Sequence, residues 1–125
     1  MSINEIDYFV PVSSYIKKQE DNIVIKVSDR ERKGGKAVGS LRFNYMIPVP
    51  KRVLIPVNFK DTQFSEKDRV LLEKEYRFCK AKRSVIQKQA RRTYERVIAK
   101  VSLELIKNSC DFKLLEKACE EYDNI

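Results

Sequence analysis

The sequence predicts an α+β domain with a compact twisted core, either an antiparallel or mixed β-sheet or a barrel, covered by a long basic helix and a short C-terminal helix. Residues 1–64 contain short β-branched and aromatic runs, together with every glycine and proline of the chain. Residues 65–109 contain neither glycine nor proline and are rich in strong helix formers. Because 125 residues suffice for one core and no internal repeat is visible, we expect residues 1–125 to form a single domain.

Four apolar runs in the first half have the length and composition of strands. The predicted strands are residues 6–12, 23–27, 41–47 and 52–57. Polar or proline-containing links separate them, and the charged segment 29–36, which carries Gly34 and Gly35, is expected to be an exposed loop.

The second half begins with a clear helix start signal. Ser65 is a good N-cap, and Glu66 and Asp68 fall in the first turn, where the helix dipole favours acids. An apolar row with helical spacing then follows: Leu72, Tyr76, Cys79, Ile86, Ala90, Tyr94, Val97, Val101 and Leu105. The row is interrupted at Arg83, so we expect either one helix over 65–109 or two helices separated near residues 82–84.

A shorter helix is predicted over residues 112–122. Asp111 can cap its first turn, and Phe112, Leu115 and Cys119 would face the core.

Composition excludes several classes of function. The chain has no histidine, which rules out a Ser-His-Asp triad, a Cys-His dyad and the common histidine-containing zinc sites. Its three cysteines are widely spaced and form no CxxC motif, as expected of reduced thiols in a cytoplasm. We see no secretory signal and no apolar stretch of membrane-spanning length. We therefore expect a cytoplasmic protein.

The positive charge is concentrated in the long helical segment. Residues 74–100 contain ten basic side chains and only two acidic ones, Glu75 and Glu95. The net charge of this segment alone therefore equals the +8 of the whole chain. Either this is a solvated helix face, or it is a surface for a polyanion such as a nucleic acid. The lack of acids to balance it favours the second interpretation. Twelve aromatic residues favour RNA over DNA, because they can stack on unpaired bases.

RNA cleavage is one reaction that remains possible without histidine, because RNA supplies its own nucleophile, the 2′-hydroxyl. A protein then has to align that group and neutralise the phosphate, for which Lys, Arg, Ser and Tyr suffice. One candidate cluster is Ser13-Ser14-Tyr15 with Lys17 and Lys18, and the loop 29–36 is another. Ser-Ser after a strand more often marks a turn, so this interpretation also stays open.

Three stretches of the chain resemble the ToxN/AbiQ family of toxins from bacterial type III toxin–antitoxin systems. Residues 8–14, YFVPVSS, are similar to the family's strand ending in Pro-Leu-Thr/Ser-Ser. Residues 39–50, GSLRFNYMIPVP, resemble its Met-Ile-Pro-Val strand, which is the most specific match. Residues 76–116 resemble its long helix and its closing Phe-x-Leu-Leu-Glu helix.

The resemblance implies a MazF/Kid-like fold and a metal-independent endoribonuclease that needs no cofactor. It implies cleavage of RNA to 2′,3′-cyclic phosphate and 5′-hydroxyl ends. It also implies inhibition by an RNA antitoxin of repeated pseudoknots in ring-like protein–RNA assemblies, and a role in growth arrest and defence against phage. Family members usually carry an additional segment before the strand around Tyr8, and we expect that segment to be absent here.

The resemblance also assigns roles to residues. Ser13 and Ser14 match the active-site hydroxyl pair, and Lys17 best matches the nearby lysine, with Lys18 as the alternative. Phe78 matches an aromatic residue near the bound RNA. The other predicted RNA-binding residues are Tyr8, Arg77, Lys80, Lys82, Arg83, Lys88, Arg91 and Arg92.

Two other functions remain open at this stage. A non-catalytic RNA-binding module on the same scaffold would bind RNA in a salt-sensitive manner without cutting it. A DNA-binding regulator would use the basic helix and prefer duplex DNA to structured RNA.

Overall fold

The computed structural model describes residues 1–31, 33–58, 60 and 63–123. It confirms the α+β class, with two small antiparallel sheets and no closed barrel among these residues. The strands are β1 (Ser2–Ile3), β2 (Ile6–Phe9), β3 (Val12–Ser13), β4 (Asn22–Val27), β5 (Lys36–Arg42) and β6 (Ile47–Pro48). One sheet has the order β1-β2-β6 and the other the order β3-β5-β4.

Four α-helices and two short 3-10 turns complete the fold of the described residues. The helices are α1 (Glu66–Ala81), α2 (Arg83–Ile98), α3 (Leu103–Lys107) and α4 (Phe112–Asp123), and the 3-10 turns are Phe43–Tyr45 and Lys51–Val53. None of the helices in the described part of the chain is long and apolar enough to cross a membrane.

The strand predictions are partly correct. The predicted strand 23–27 corresponds to β4, but the predicted strand 6–12 is split into β2 and β3 at Pro11, which has no N–H to donate to a ladder. The predicted strand 41–47 is wrong beyond Arg42, where the chain turns through Phe43–Tyr45. The predicted strand 52–57 is also wrong, because the 3-10 turn ends at Val53 and residues 54–57 pair with no described strand.

The predicted helical segment 65–109 begins where expected but ends earlier than expected. The Ser65 hydroxyl accepts a hydrogen bond from the Asp68 N–H at 3.1 Å, which confirms the cap. Lys82 separates α1 from α2, as the interrupted apolar row allowed. The helix does not continue to residue 109, because Lys100 adopts a left-handed conformation with φ of 54°. Asp111 caps α4 by accepting from the Leu114 N–H.

An aromatic cluster lies at the centre of the core. The rings of Tyr94 and Phe112 stack with centroids 5.5 Å apart, and Tyr8 meets both edge-on at 5.8 Å. The Glu116 carboxylate accepts hydrogen bonds from the hydroxyls of Tyr8 and Tyr94, at 2.5 and 2.8 Å. Burial, reinforced by Glu116, raises the pKa of Tyr8. The cluster joins β2 to α2 and α4, while α1 packs on β4.

Candidate functional site

Strands β3 and β5 position the two candidate serines. Ser13 pairs with Ser40 across the ladder, and the chain leaves the sheet immediately afterwards. The Ser13 hydroxyl accepts a hydrogen bond from the Tyr15 N–H at 3.1 Å, which is a local turn contact. Ser14 is exposed, and its hydroxyl bonds to none of the described residues. Ser14 is therefore the more available of the two hydroxyls.

A single buried asparagine fixes the loop that follows. Asn22 is 1% exposed, and its Nδ2 donates to the Lys17 carbonyl at 2.9 Å. Its Oδ1 accepts from the Gln19 N–H at 2.8 Å, and the Lys18 ammonium donates to the Asn22 main-chain oxygen. The Lys17 ammonium is exposed and makes no hydrogen bond or ion pair within the described part of the chain. The geometry thus favours Lys17 as the available lysine and gives Lys18 a role in holding the loop.

The same loop is attached to the basic helix. The Asp21 carboxylate accepts from Arg96 at 2.8 Å and from the Thr93 hydroxyl at 3.1 Å. Glu20 forms ion pairs with Arg92 and Arg96, at 3.2 and 3.3 Å. These contacts attach the segment that follows the candidate lysines to one face of α2.

Most of the predicted basic surface is exposed and unpaired. Arg92 is paired with Glu20. The other predicted cations are exposed and form no ion pair with any residue that the structure describes: Arg77, Lys80, Lys82, Arg83, Lys88 and Arg91. They extend from the last turns of α1 across the Lys82 junction into α2. We name these six residues the basic surface. A run of uncompensated cations of this kind is suited to a polyanion.

Glycine at position 39 allows β3, which carries Ser13, to lie close against β5, with Glu75 of α1 nearby. A Cβ at Gly39 would lie 2.6 Å from the Ser13 carbonyl oxygen and 3.5 Å from Glu75 Oε2. Phe78 follows Glu75 by three residues, so it lies on the same face of α1, where it is half-buried against the core. Phe78 is therefore near the strand pair that carries Ser13.

Tyr8 lies in the core and not on the exposed loop. Its side chain is fully buried in the aromatic cluster, and its hydroxyl donates to Glu116. It presents no surface to a ligand in this structure, so a contact between Tyr8 and RNA stays a prediction. The sequence could not separate the two roles, because a tyrosine in a strand suits a core position and a binding position equally well.

Comparison with known proteins places the chain in a family. A family model described as toxin ToxN of a type III toxin–antitoxin system matches residues 1–120. The chain belongs to the ToxN family.

Two curated relatives of this ToxN-family chain are named as endoribonucleases. The endoribonuclease ToxN of Bacillus thuringiensis subsp. kurstaki is 30% identical over 131 residues, which cover 96% of this chain and 64% of the relative. The endoribonuclease AbiQ of Lactococcus lactis subsp. lactis is 28% identical over 128 residues, covering 95% and 68%. The chain thus spans about two thirds of the length of these relatives.

Two solved structures share the ToxN-family fold. One is from a study of selective toxin inhibition by a non-coding RNA pseudoknot in bacterial type III toxin–antitoxin systems. It superposes on this chain with a TM-score of 0.81 at 29% sequence identity, and the match covers 100% of this chain and 77% of the other. The second is AbiQ, described as a lactococcal anti-phage endoribonuclease, with a TM-score of 0.75 at 25% identity, covering 98% and 75%.

Sequence reasoning missed two residues beside the serine–lysine loop. Arg42 lies at the end of β5 and contacts the rings of Tyr15 and Tyr45, and Asn22 anchors the loop from the neighbouring strand. An arginine followed by two aromatic residues within four positions, Arg42 to Tyr45, was the available signal. That pattern by itself fits a half-buried strand equally well.

Glu75 provides a test of the electrostatics in this ToxN-family chain. Burial raises the pKa of its carboxyl above the usual value of 4.5, and it has no ion-pair partner among the described residues. A raised folded-state pKa means that stability falls as the pH rises through the window just above 4.5. We expect Glu75→Gln to raise the Tm at neutral pH, with the difference vanishing in acid.

Thermal unfolding followed by circular dichroism across this pH range measures the effect. Glu95→Gln is the matched control, because Glu95 is exposed on α2 and its replacement makes the same change in net charge. Equal Tm shifts for both variants at every pH would contradict the role given to the burial of Glu75.

Proposed function

We propose that this chain is a metal-independent endoribonuclease toxin of a type III toxin–antitoxin system. The observation that carries the proposal is the loop fixed by Asn22, which leaves Ser14 and Lys17 exposed and without partners among the described residues, in a chain of the ToxN family. The names of the curated relatives support the same activity. We also propose that residues 1–125 act as one domain, working in the cytoplasm where its RNA substrates are.

The proposed reaction uses the RNA's own hydroxyl. The 2′-oxygen attacks the adjacent phosphorus in line, its proton is released, and the bond to the 5′-oxygen of the next nucleotide breaks. The products are a 2′,3′-cyclic phosphate and a 5′-hydroxyl, the latter formed when the leaving oxygen takes up a proton. The reaction as written needs the RNA and protein side chains, and no cofactor.

Each candidate residue has a role in this reaction. The Lys17 ammonium neutralises the non-bridging oxygens of the phosphate or protonates the leaving oxygen. The Ser14 hydroxyl, which has no partner among the described residues, donates to the phosphate and orients it. Ser13 supports the turn that presents Ser14. Phe78, on the α1 face near Ser13, stacks on a base.

The proposed inhibitor is an RNA. A solved ToxN-like structure is described in terms of inhibition by a non-coding RNA pseudoknot, and the basic surface of this chain suits such a ligand. We propose that pseudoknot repeats bind the basic surface and Arg92, close into a ring-like protein–RNA assembly and block the serine–lysine loop. Release of the toxin would arrest growth and act in antiviral defence.

The basic surface predicts a strong dependence of RNA binding on salt. Each cation that contacts a phosphate contributes about 0.7 to the slope of log K against log salt for single strands. Replacing Arg83 and Lys88 together by alanine is expected to lower that slope by about 1.4 and to weaken binding in low salt. Fluorescence anisotropy over a salt series measures both quantities.

Lys117 provides the control for this measurement. It is equally exposed but lies on α4, where four of the twelve helix residues are acidic. If Lys117→Ala changes the slope as much as a substitution within the basic surface, the interface assigned to α1 and α2 is wrong.

Incubation of the purified chain with mixed single-stranded RNA in EDTA tests the activity. We expect discrete fragments that end in cyclic phosphate, and none from the Ser14→Ala, Lys17→Ala double variant. Salt-sensitive binding without fragments would instead indicate a non-catalytic RNA-binding module. Preference for duplex DNA over structured RNA at equal salt would indicate a DNA-binding regulator.

A further inference from the structure

The Arg42 guanidinium makes contacts with two tyrosine rings beside the serine–lysine loop. Its guanidinium carbon lies 5.2 Å from the ring centroid of Tyr15 and 4.9 Å from that of Tyr45. The two rings are 37% and 41% exposed. Both rings lie within cation–π distance of the guanidinium and restrain its position. Arg42 is half-buried as a whole, so its terminal Nη groups are the donors that a ligand can reach.

Arg42 has no acidic partner within the described part of the chain. Its Nε is buried and makes no hydrogen bond to a protein group there. The Ser40 hydroxyl is also unpartnered, and Ser40 is fully buried. Buried polar atoms without partners are rare in native proteins. Two of them lie two residues apart on one strand, so the polar groups of this part of β5 are not satisfied by the described protein atoms.

These two atoms share a sheet face with the side chain of Ser13, the residue before Ser14. Ser13 and Ser40 are directly paired, so their side chains project on the same side of the sheet. Arg42 follows Ser40 by two residues on β5 and therefore projects on that side as well. Tyr15 directly follows Ser14 in the chain, so Arg42, which contacts the Tyr15 ring, lies next to the residues that would hold the reacting phosphate.

A polar cleft extends from Arg42. Its volume is about 430 Å³, and Arg42, Tyr45, Gln19 and Asn108 are among the residues that line it. The acidic residues of its wall include Glu20 and Asp21, whose carboxylates are bound to Arg96, and Glu104. An RNA strand that crosses Ser14 can therefore continue into the cleft past Arg42.

We infer that Arg42, with Tyr15 and Tyr45, forms a subsite for the nucleotide next to the scissile bond. The guanidinium edge donates paired hydrogen bonds to the phosphate of that nucleotide, and the exposed parts of the tyrosine rings stack on its base. The inference rests on the proposed function. Ser14 and Lys17 serve the phosphate that is cleaved, whereas Arg42 and the two tyrosines bind the neighbouring nucleotide.

Replacement of Arg42 by lysine tests the geometry apart from the charge. Lysine keeps the positive charge but lacks the planar guanidinium, which can donate two parallel hydrogen bonds and pack against the tyrosine rings. Arg52→Lys is the control, because Arg52 also lies over a tyrosine ring, at 4.7 Å from that of Tyr122, but its donors are occupied by Asp123 and the Tyr122 carbonyl. Circular dichroism verifies that both variants are folded.

Binding and cleavage are measured separately. A 2′-O-methyl RNA of mixed sequence binds but cannot be cut, because its nucleophile is blocked. We expect Arg42→Lys to weaken binding to this RNA about tenfold and to raise KM for cleavable RNA with little change in kcat, while Arg52→Lys behaves as the parent protein. Alanine at both Tyr15 and Tyr45 should reproduce the loss, and phenylalanine at both should largely retain binding.

The outcomes separate this inference from the proposed function. If Arg42→Lys matches Arg52→Lys in affinity and in KM, the subsite is wrong, even where the parent protein cleaves RNA as proposed. If the parent protein binds RNA without cutting it, the proposed reaction is wrong, and the loss of binding in Arg42→Lys still supports the subsite. A fall in kcat without a rise in KM in Arg42→Lys would also contradict the subsite, because it would place Arg42 at the reacting phosphate.

Discussion

Replacing Lys17 by alanine is expected to lower the rate of RNA cleavage about 10²–10³-fold, because the developing phosphate charge loses its nearest proposed counter-charge. The backbone of the loop should be unchanged, since Asn22 holds the Lys17 carbonyl rather than its ammonium. Single-turnover cleavage rates measure the loss, and an unchanged Tm shows that the fold is intact.

Two further lysine variants complete the test. Lys26→Ala removes an exposed cation from β4, outside the candidate site, and is expected to leave the rate unchanged. Lys18→Ala removes the ammonium that donates to the Asn22 carbonyl, so it should lower the Tm and reduce the rate less than Lys17→Ala does. A larger loss of rate in Lys18→Ala with an unchanged Tm would reverse the assignment of the two lysines.

Replacing Phe112 by alanine is expected to have the largest effect on stability, about 3–5 kcal/mol of the free energy of unfolding. Phe112 is 1% exposed and lies against the rings of both Tyr8 and Tyr94. Its removal leaves a cavity at the junction of β2, α2 and α4. A loss of this size is a large fraction of the stability of an ordinary domain, so the variant should be partly unfolded at physiological temperature.

Urea unfolding followed by circular dichroism measures this loss. Leu114→Ala is the matched control on the same helix, because Leu114 is 62% exposed and its truncation should change the free energy of unfolding by no more than about 0.5 kcal/mol. Similar losses in the two variants would contradict the orientation of α4 and the central place of the aromatic cluster.

The features that could be predicted from the sequence depend on neighbouring residues. The caps at Ser65 and Asp111 were correct because a side-chain oxygen reaches an N–H only three residues away. The break at Lys82 and the burial of Ile86, Ala90 and Tyr94 followed from helical spacing in the same way.

The features that failed depend on distant parts of the chain. Residues 54–57 have strand-like composition, but no described strand pairs with them. Tyr8 is buried against Tyr94 and Phe112, and Glu116, far along the chain, accepts its hydroxyl. The environment of Arg42 arises only when Tyr15 is brought to it by the pairing of β3 with β5. A single sequence contains no direct signal of such pairings.

The role of the serine–lysine loop was predicted from family resemblance, and its geometry came from the structure. Ser13 and Ser14 were proposed as a pair, yet the Ser13 hydroxyl accepts from the Tyr15 N–H while Ser14 is exposed. The choice between Lys17 and Lys18 depended on Asn22, a buried residue of a different strand whose part in the loop no local pattern indicated.

The central claim is that the RNA's own 2′-hydroxyl is the nucleophile, aligned by the Ser14–Lys17 loop. The most direct test replaces that one hydroxyl by hydrogen at a mapped cleavage site in a synthetic RNA. The account predicts that cleavage at this bond stops while the RNA still binds, and that the unmodified RNA yields a 2′,3′-cyclic phosphate there. Continued cleavage of the 2′-deoxy bond would show that another nucleophile acts and would contradict the account.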